Sequence, residues 1–219
     1  MSVGDGHSEP LSGKAPAYAF PNKMGRIVLM AFEETMGRTA LDAVLSLARL
    51  HERSEEFPPN NFEREFAFTE LAQLHQALEE MYGPRSGRGL ARRAGRACFA
   101  LGIRDFAPML DVADLALRVL PLSTRVRTGL EVLSETFNKF TDHRVEVVED
   151  DRYFRWVMEP CGVCWERRTD GPCCDLAVGI LEEGLYWLSG CKRFYVEEVT
   201  CLAAGDERCV IQISRAPVD

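Results

Sequence analysis

The chain lacks a long apolar run. Nowhere in its 219 residues does an apolar stretch approach the ~20 positions that a membrane-spanning helix needs, so no membrane span is predicted. The polar start, residues 1–16, has no apolar core of the kind that a secretory signal contains. We interpret it as a disordered leader and expect a cytoplasmic protein.

Positive charge is also scarce. The formal net charge is −8, and residues 142–219 carry nine basic and sixteen acidic side chains. Because binding to duplex nucleic acid requires a basic face that displaces counterions, no nucleic-acid partner is predicted.

Recognisable catalytic signatures are missing as well. The sequence contains no Ser–His–Asp arrangement, no phosphate-binding loop and no dinucleotide fingerprint. We therefore predict no catalytic residues and favour a binding protein over an enzyme.

Apolar residues recur at helical spacing through most of the first 140 positions. A break is expected near Gly37, and Thr69 is the expected N-cap of the helix that it precedes. The predicted helices cover residues 24–52, 69–81, 86–102, 107–119 and 123–140.

After residue 143 the pattern changes to alternation with a period of two, which is typical of strands. One hairpin is predicted to turn at residues 149–151 and a second around residues 204–206, with a helix over 173–189 between them. This order predicts an α+β fold, in which an antiparallel sheet from two hairpins packs against a helical layer and a helical N-terminal extension precedes it.

Seven of the eight cysteines lie in the last 59 positions, and only Cys98 comes before residue 160. In a cytosolic chain such a cluster indicates metal binding rather than disulfides. A hairpin centred on Gly205 places Cys201 opposite Cys209, and Cys174 opens the preceding helix, where a lowered thiol pKa is expected. Strand parity favours Glu197 as a fourth ligand, and Glu198 would need a bulge.

A second group of cysteines precedes this set. Cys161 and Cys164, with Cys173, have a spacing that suits a second metal or an iron–sulfur site, although no fourth ligand is evident. Buried, reduced core cysteines are the alternative for the first set, and a redox dithiol is the alternative for the second, although no βαβ pattern surrounds it.

The run CDLAVGILEEGLYWLSG followed by VEEVTCLAAGDERCVIQI resembles the 4-vinyl reductase domain family, which includes a bacteriochlorophyll-associated protein and sensor domains for phenols and aromatic hydrocarbons. Cys174 with Gly179 matches the family's Cys-x4-Gly helix start, and the segment from Glu198 through Cys209 matches its closing hairpin. The resemblance covers residues 80–215. The segment MGRIVLMAFEETMG is similar to the start of haem-nitric-oxide-binding domains, which share a fold group with Golgi tethering-complex subunits.

The resemblance implies structural zinc beside a buried pocket for an aromatic ligand. The matching ligands are Cys174, Glu198, Cys201 and Cys209, and Cys173 is an alternative to the adjacent Cys174. Iron or an iron–sulfur cluster ranks below zinc. None of the four histidines matches the pocket histidine of the phenol sensors, so a larger or more apolar ligand is expected.

Aromatic side chains near the cysteines are the candidate ligand contacts, with plain core packing as the alternative for each. They are Phe154, Trp156, Trp165, Tyr186 and Trp187. A run of arginines is interpreted as a solvated helix face, with a grip on a carboxylate or phosphate as the alternative. Its members are Arg85, Arg88, Arg92, Arg93 and Arg96. Glu182 and Glu183, which are neighbours in sequence, are expected to be exposed.

Three functions remain open at this point. The first is non-catalytic binding or sensing of a small apolar ligand by a zinc-stabilised domain at residues 81–215, with residues 17–80 as a helical region that offers a homodimer surface. The second is an enzyme or delivery protein of tetrapyrrole metabolism. The third is a scaffold subunit that binds a lipid chain.

Overall fold

A computed structural model describes residues 18–106 and 120–218. The predicted leader at residues 1–16 and the predicted helix at residues 107–119 lie outside this part of the chain. Seven helices occur in it: α1 (Asn22–Met36), α2 (Arg38–Leu47), α3 (His51–Glu55), α4 (Phe68–Tyr82), α5 (Pro84–Phe106), α6 (Leu122–Phe140) and α7 (Asp175–Ser189). The strands are β1 (Ala19–Pro21), β2 (Arg64–Ala67), β3 (Val145–Glu149), β4 (Tyr153–Met158), β5 (Val196–Thr200) and β6 (Cys209–Ser214).

The predicted α+β class is confirmed. Strands β3 to β6 form an antiparallel sheet in the order β3-β4-β6-β5, and β1 pairs with β2 in a separate small sheet. Both predicted hairpins are present, and β4 joins them by pairing with β6 from Tyr153↔Ser214 to Met158↔Cys209. Cys209 therefore lies at the end of the sheet where the loop after β4 begins.

Local signals account for most helix boundaries. The predicted break at Gly37 is confirmed, since its φ of 81° separates α1 from α2. Gly190, with φ 74°, ends α7 in the left-handed conformation. The prediction for Thr69 is wrong, because α4 begins at Phe68 and the side chain of Glu70 accepts a hydrogen bond from the backbone N–H of Ala67.

Helices α5 and α7 approach each other closely at two glycines. A Cβ added at Gly95 would lie 2.2 Å from the backbone oxygen of Leu176, and one added at Gly179 would lie 2.0 Å from that of Arg92. No L side chain fits at either distance, so these glycines set the separation of the two helices.

The arginines on α5 are not a purely solvated face. Arg92 and Arg96 both pair with Glu182 on α7, with 2.8 Å between Arg96 Nη2 and Glu182 Oε2. Arg92 also donates to the backbone oxygen of Val196 in β5 at 3.2 Å. The expectation that Glu182 is exposed is wrong, because the glycine contact brings its helix face against the arginines.

Buried apolar side chains form one contiguous cluster that extends from Phe20 near the start of the described chain to Ile213 in β6. It includes six of the cysteines of the last third. No described helix combines the length and apolarity needed to cross a membrane.

Candidate metal centre and ligand cavity

Four separate segments bring six cysteines into one buried cluster. The loop after β4 supplies Cys161 and Cys164, and the start of α7 supplies Cys173 and Cys174. The end of β5 and the start of β6 supply Cys201 and Cys209. All eight cysteines of the chain are described, none forms a disulfide, and Cys191 alone is exposed.

Three of the sulfurs form an equilateral triangle. The Sγ atoms of Cys174, Cys201 and Cys209 are 3.9 Å apart along each edge. A tetrahedral zinc site with Zn–S bonds of about 2.3 Å has S–S edges of about 3.8 Å. The triangle therefore has the dimensions of one face of such a site.

Glu198 completes the first group. The pairing of β5 with β6 shifts register between Glu198 and Thr200, so the bulge that the sequence required is present and Glu198 is buried while Glu197 is exposed. Its Oε2 accepts a hydrogen bond of 2.7 Å from the backbone N–H of Cys174. Its Oε1 has no hydrogen-bond partner among the described residues. An unpaired buried acceptor beside three sulfurs is what a cation ligand requires.

Burial, and then the charge of the neighbouring Cys201, raise the pKa of Glu198 to about 8. Hydrogen bonds from neighbouring thiols lower the pKa of Cys161 and Cys201, whereas the same contacts and burial raise that of Cys174. The expected lowering of the Cys174 pKa at the helix start is therefore wrong. These acids are too close to ionise together unless a cation offsets their charge.

A second group shares two sulfurs with the first. The donor atoms of Cys161, Cys164, Cys174 and Cys209 lie within 4.8 Å of one another, as do those of the Cys174, Glu198, Cys201 and Cys209 group. Neither group contains Cys173, whose Sγ lies 3.8 Å from that of Cys201. Cys161 and Cys164 therefore meet Cys174 and Cys209, whereas the sequence grouped them with Cys173.

A buried cation lies at the edge of the cluster. The guanidinium of Arg167 donates to Glu79 at 2.6 Å and to the backbone oxygen of Val163 at 3.4 Å. Burial opposes its charge, but Cys173 and Glu79 raise its pKa on balance. Arg167 thus ties the cysteine loop to α4 and contributes positive charge near the sulfurs. Sequence reasoning missed it, since nothing local distinguishes it from Arg168.

A cavity of about 150 Å³ lies between the helices and the sheet. Its wall is almost entirely apolar and includes residues of α1, α5, α6, β4 and α7. Leu176 and Ala177 in the first turn of α7 line it directly after the cysteines that open that helix. The start of α7 therefore contributes both to the candidate metal-binding group and to the cavity wall.

His143 is the buried imidazole in the cavity wall. Its Nε2 accepts a hydrogen bond of 2.8 Å from the backbone N–H of Gly162, and burial lowers its pKa, so the ring is neutral with its proton on Nδ1. Nδ1 has no hydrogen-bond partner among the described residues. Sequence reasoning did not place a histidine at the cavity, whereas the turn after α6 carries His143 into its wall.

The five predicted aromatic contacts occupy different places. Trp156 lines the cavity. Phe154 is buried in β4 beneath the guanidinium of Arg215, and Trp165 packs edge-on against Tyr18 and Phe68. Tyr186 and Trp187, on the outer side of α7, are each 38% exposed.

The chain shares its fold with H-NOX proteins and with one phenol-responsive sensory domain in solved structures, whereas no protein-family profile and no curated protein matches it. An Fe(II) unliganded H-NOX protein variant from K. algicida is 15% identical, with a TM-score of 0.55 over 89% of this chain and 95% of that one. An H-NOX protein from S. oneidensis is 12% identical, with a TM-score of 0.54 over 88% and 97%. The phenol-responsive sensory domain of the transcription activator PoxR, solved with phenol, is 20% identical, with a TM-score of 0.50 over 79% and 88%.

Proposed function

We propose that this chain is a non-catalytic binding or sensing module of the 4-vinyl reductase domain type, which holds a small aromatic molecule in a cavity supported by structural zinc. The observation that carries the proposal is the cavity of about 150 Å³ whose lining includes His143, a buried imidazole with an unpaired Nδ1–H. The sensor domains with the same fold support it as a class.

The size of the cavity limits the ligand. An apolar cavity of about 150 Å³ is known to stay dry and to accept benzene. The described cavity therefore suits a single aromatic ring, and a lipid chain or a tetrapyrrole is several times larger. This favours a hydrocarbon or phenol-like ligand over the tetrapyrrole and lipid functions, and over the haem named for H-NOX relatives.

The imidazole among the lining residues refines the ligand further. His143 Nδ1–H is a donor, so a ligand oxygen that accepts a hydrogen bond gains an interaction that a pure hydrocarbon does not. A net gain of about 1 kcal/mol corresponds to a roughly fivefold tighter dissociation constant. We therefore propose a small aromatic molecule with one oxygen, such as a phenol, in preference to toluene.

Zinc is the proposed structural metal at Cys174, Glu198, Cys201 and Cys209. The sulfur triangle and the unpaired Oε1 of Glu198 fit a tetrahedral ion with three thiolates and one carboxylate. When bound, zinc would hold the start of α7 against the β5–β6 turn. These residues thereby fix the end of the helix whose next turn lines the cavity.

Calorimetric titration of the full chain with phenol and with toluene tests the proposal. We expect both to bind, phenol more tightly, and we expect His143→Phe to weaken phenol more than toluene. Ala177→Leu, which fills part of the cavity, should weaken both, whereas Leu47→Ala on the exposed side of α2 should change neither. Absence of binding by both ligands, or equal effects of Ala177→Leu and Leu47→Ala, would reject the cavity as a ligand site.

A further inference from the structure

We propose that the cysteine cluster holds two metal ions, bridged by the thiolates of Cys174 and Cys209, rather than one. This inference extends the proposed structural zinc at Cys174, Glu198, Cys201 and Cys209 and rests on that site. The second ion would be held by Cys161, Cys164 and the two bridging sulfurs, so the site would be a binuclear zinc–thiolate centre.

The two groups of donors share an edge. Each group of four has its donor atoms within 4.8 Å of one another, and Cys174 and Cys209 belong to both. Their sulfurs are 3.9 Å apart. Two tetrahedra that share one edge place their ions on opposite sides of it, and the shared sulfurs would move closer together than 3.9 Å as the two ions separate. A thiolate sulfur has enough lone pairs to bind both ions.

The outer sulfurs are at matching distances. Cys161 Sγ lies 3.6 Å from Cys174 Sγ, and Cys164 Sγ lies 3.4 Å from Cys209 Sγ. These are close to the tetrahedral edge of about 3.8 Å that follows from a Zn–S bond of about 2.3 Å. Cys161 and Cys164 would thus complete the second set of four donors, as Cys201 and Glu198 complete the first.

Burial explains why one ion would leave the cluster incomplete. A single zinc at the first group leaves Cys161 and Cys164, both fully or nearly fully buried, in contact with metal-bound sulfurs. A second divalent ion converts these contacts into coordination bonds. Five thiolates and one carboxylate then face four positive charges, and Arg167 lies beside the remaining negative charge.

The chain also offers its own controls. Cys173 is buried at 3.8 Å from Cys201 but belongs to neither group. Cys191 is exposed and lies after α7. Serine at either position should keep both metals, whereas serine at Cys164 should remove one ion and serine at the bridging Cys209 should remove both.

The test is the metal content of the full chain, purified without chelator, by elemental analysis and native mass spectrometry. We expect two zinc ions in the wild-type chain, in Cys173→Ser and in Cys191→Ser, and one in Cys164→Ser and in Cys201→Ser. Cobalt titration of the metal-free wild-type chain should saturate its thiolate charge-transfer absorption at two equivalents, which does not depend on the folding of any variant.

Each result separates this inference from the proposed function. One zinc in the wild-type chain, unchanged in Cys164→Ser but lost in Cys201→Ser, would overturn the second ion and leave the structural zinc intact. No zinc in the wild-type chain would reject both. Iron with acid-labile sulfide would overturn the zinc centre in favour of an iron–sulfur cluster on the same cysteines.

Discussion

Buried titratable side chains set the pH range in which this fold is stable. His75 is 2% exposed, its Nδ1–H donates to the backbone oxygen of Leu71 at 2.8 Å, and its ring packs edge-on against Phe32. Burial, and then the charge of Arg167, lower its pKa to about 4.

We predict that His75 makes the folded state lose stability as the pH falls from 6.5 to 4. In this range the unfolded chain binds a proton at His75 and the folded chain does not, so stability is complete above pH 6.5. The loss should reach about 3 kcal/mol, since one pKa unit corresponds to about 1.4 kcal/mol. Urea unfolding at several pH values measures it.

His75→Leu should flatten the pH dependence, whereas His51→Leu, at an exposed position in α3, should leave it as in the wild type. The difference between the free energies of unfolding of the two variants cancels any acid-induced loss of metal, because both variants share it. The same pH profile in both variants would contradict the assignment to His75.

Thiol reactivity reports on the cysteine cluster residue by residue. In the metal-bound chain, iodoacetamide should modify Cys191 rapidly and the seven buried cysteines slowly, because a bound or buried sulfur presents no accessible thiolate. After chelation the six clustered cysteines should become reactive, and Cys98 on α5 should follow only on unfolding. Peptide mass spectrometry checks this order, and rapid labelling of Cys164 or Cys209 in the zinc-loaded protein would contradict it.

At the scale of elements, the contact of α5 with α7 determines where the metal group and the cavity lie. Gly95 and Gly179 let the backbones approach, and the pairs of Arg92 and Arg96 with Glu182 link the same helices at their outer side. Because α7 begins at the cysteines and lines the cavity one turn later, a shift of this helix would move both.

We predict that Gly95→Ala destabilises the fold by about 3 kcal/mol or more, since its Cβ meets backbone that cannot rotate away. Gly89→Ala in the same helix has no described atom within 4 Å of the added Cβ and should stabilise by up to about 1 kcal/mol through helix propensity. Thermal unfolding of the two variants gives the comparison. Equal melting temperatures would show that the close contact of α5 and α7 is not needed.

At the scale of the whole molecule, the cluster connects elements that are far apart in sequence. It ties the loop after β4, the start of α7 and the β5–β6 turn, while Arg167 and Glu79 extend the link to α4. Metal binding at this cluster would therefore be coupled to folding, and the cavity wall would depend on it through α7.

Removal of metal by a chelator should lower the melting temperature by roughly 10 °C or more, since structural metal contributes on the order of 4 kcal/mol or more to folding and about 1 kcal/mol corresponds to 2–4 °C in a domain of this size. Phenol affinity should fall with it, because the first turn of α7 loses its anchor. Scanning calorimetry with and without chelator measures the first effect, and Cys191→Ser is the matched control. An unchanged melting temperature after verified metal loss would contradict a structural role.

The amino-acid sequence by itself determined the features that depend on near neighbours. Apolar spacing and glycines specified the helices that lie in the described residues and the break at Gly37, and alternation specified both hairpins. The turn at Gly205 placed Cys201 across from Cys209, whose sulfurs are 3.9 Å apart. The resemblance selected Glu198 over Glu197, and the bulge that this choice needed is present.

Only the tertiary structure decided how distant segments meet. It brought Cys161 and Cys164 to Cys174 and Cys209 instead of Cys173, carried His143 into the cavity and placed Tyr186 and Trp187 on the outside of α7. Cys173 and Cys174 are adjacent and of the same type, and which of them supplies a sulfur to the two groups of candidate metal ligands depends on the rotation of α7. That rotation follows from the fit of Gly179 against Arg92 and Gly95 on another helix, which no local pattern encodes.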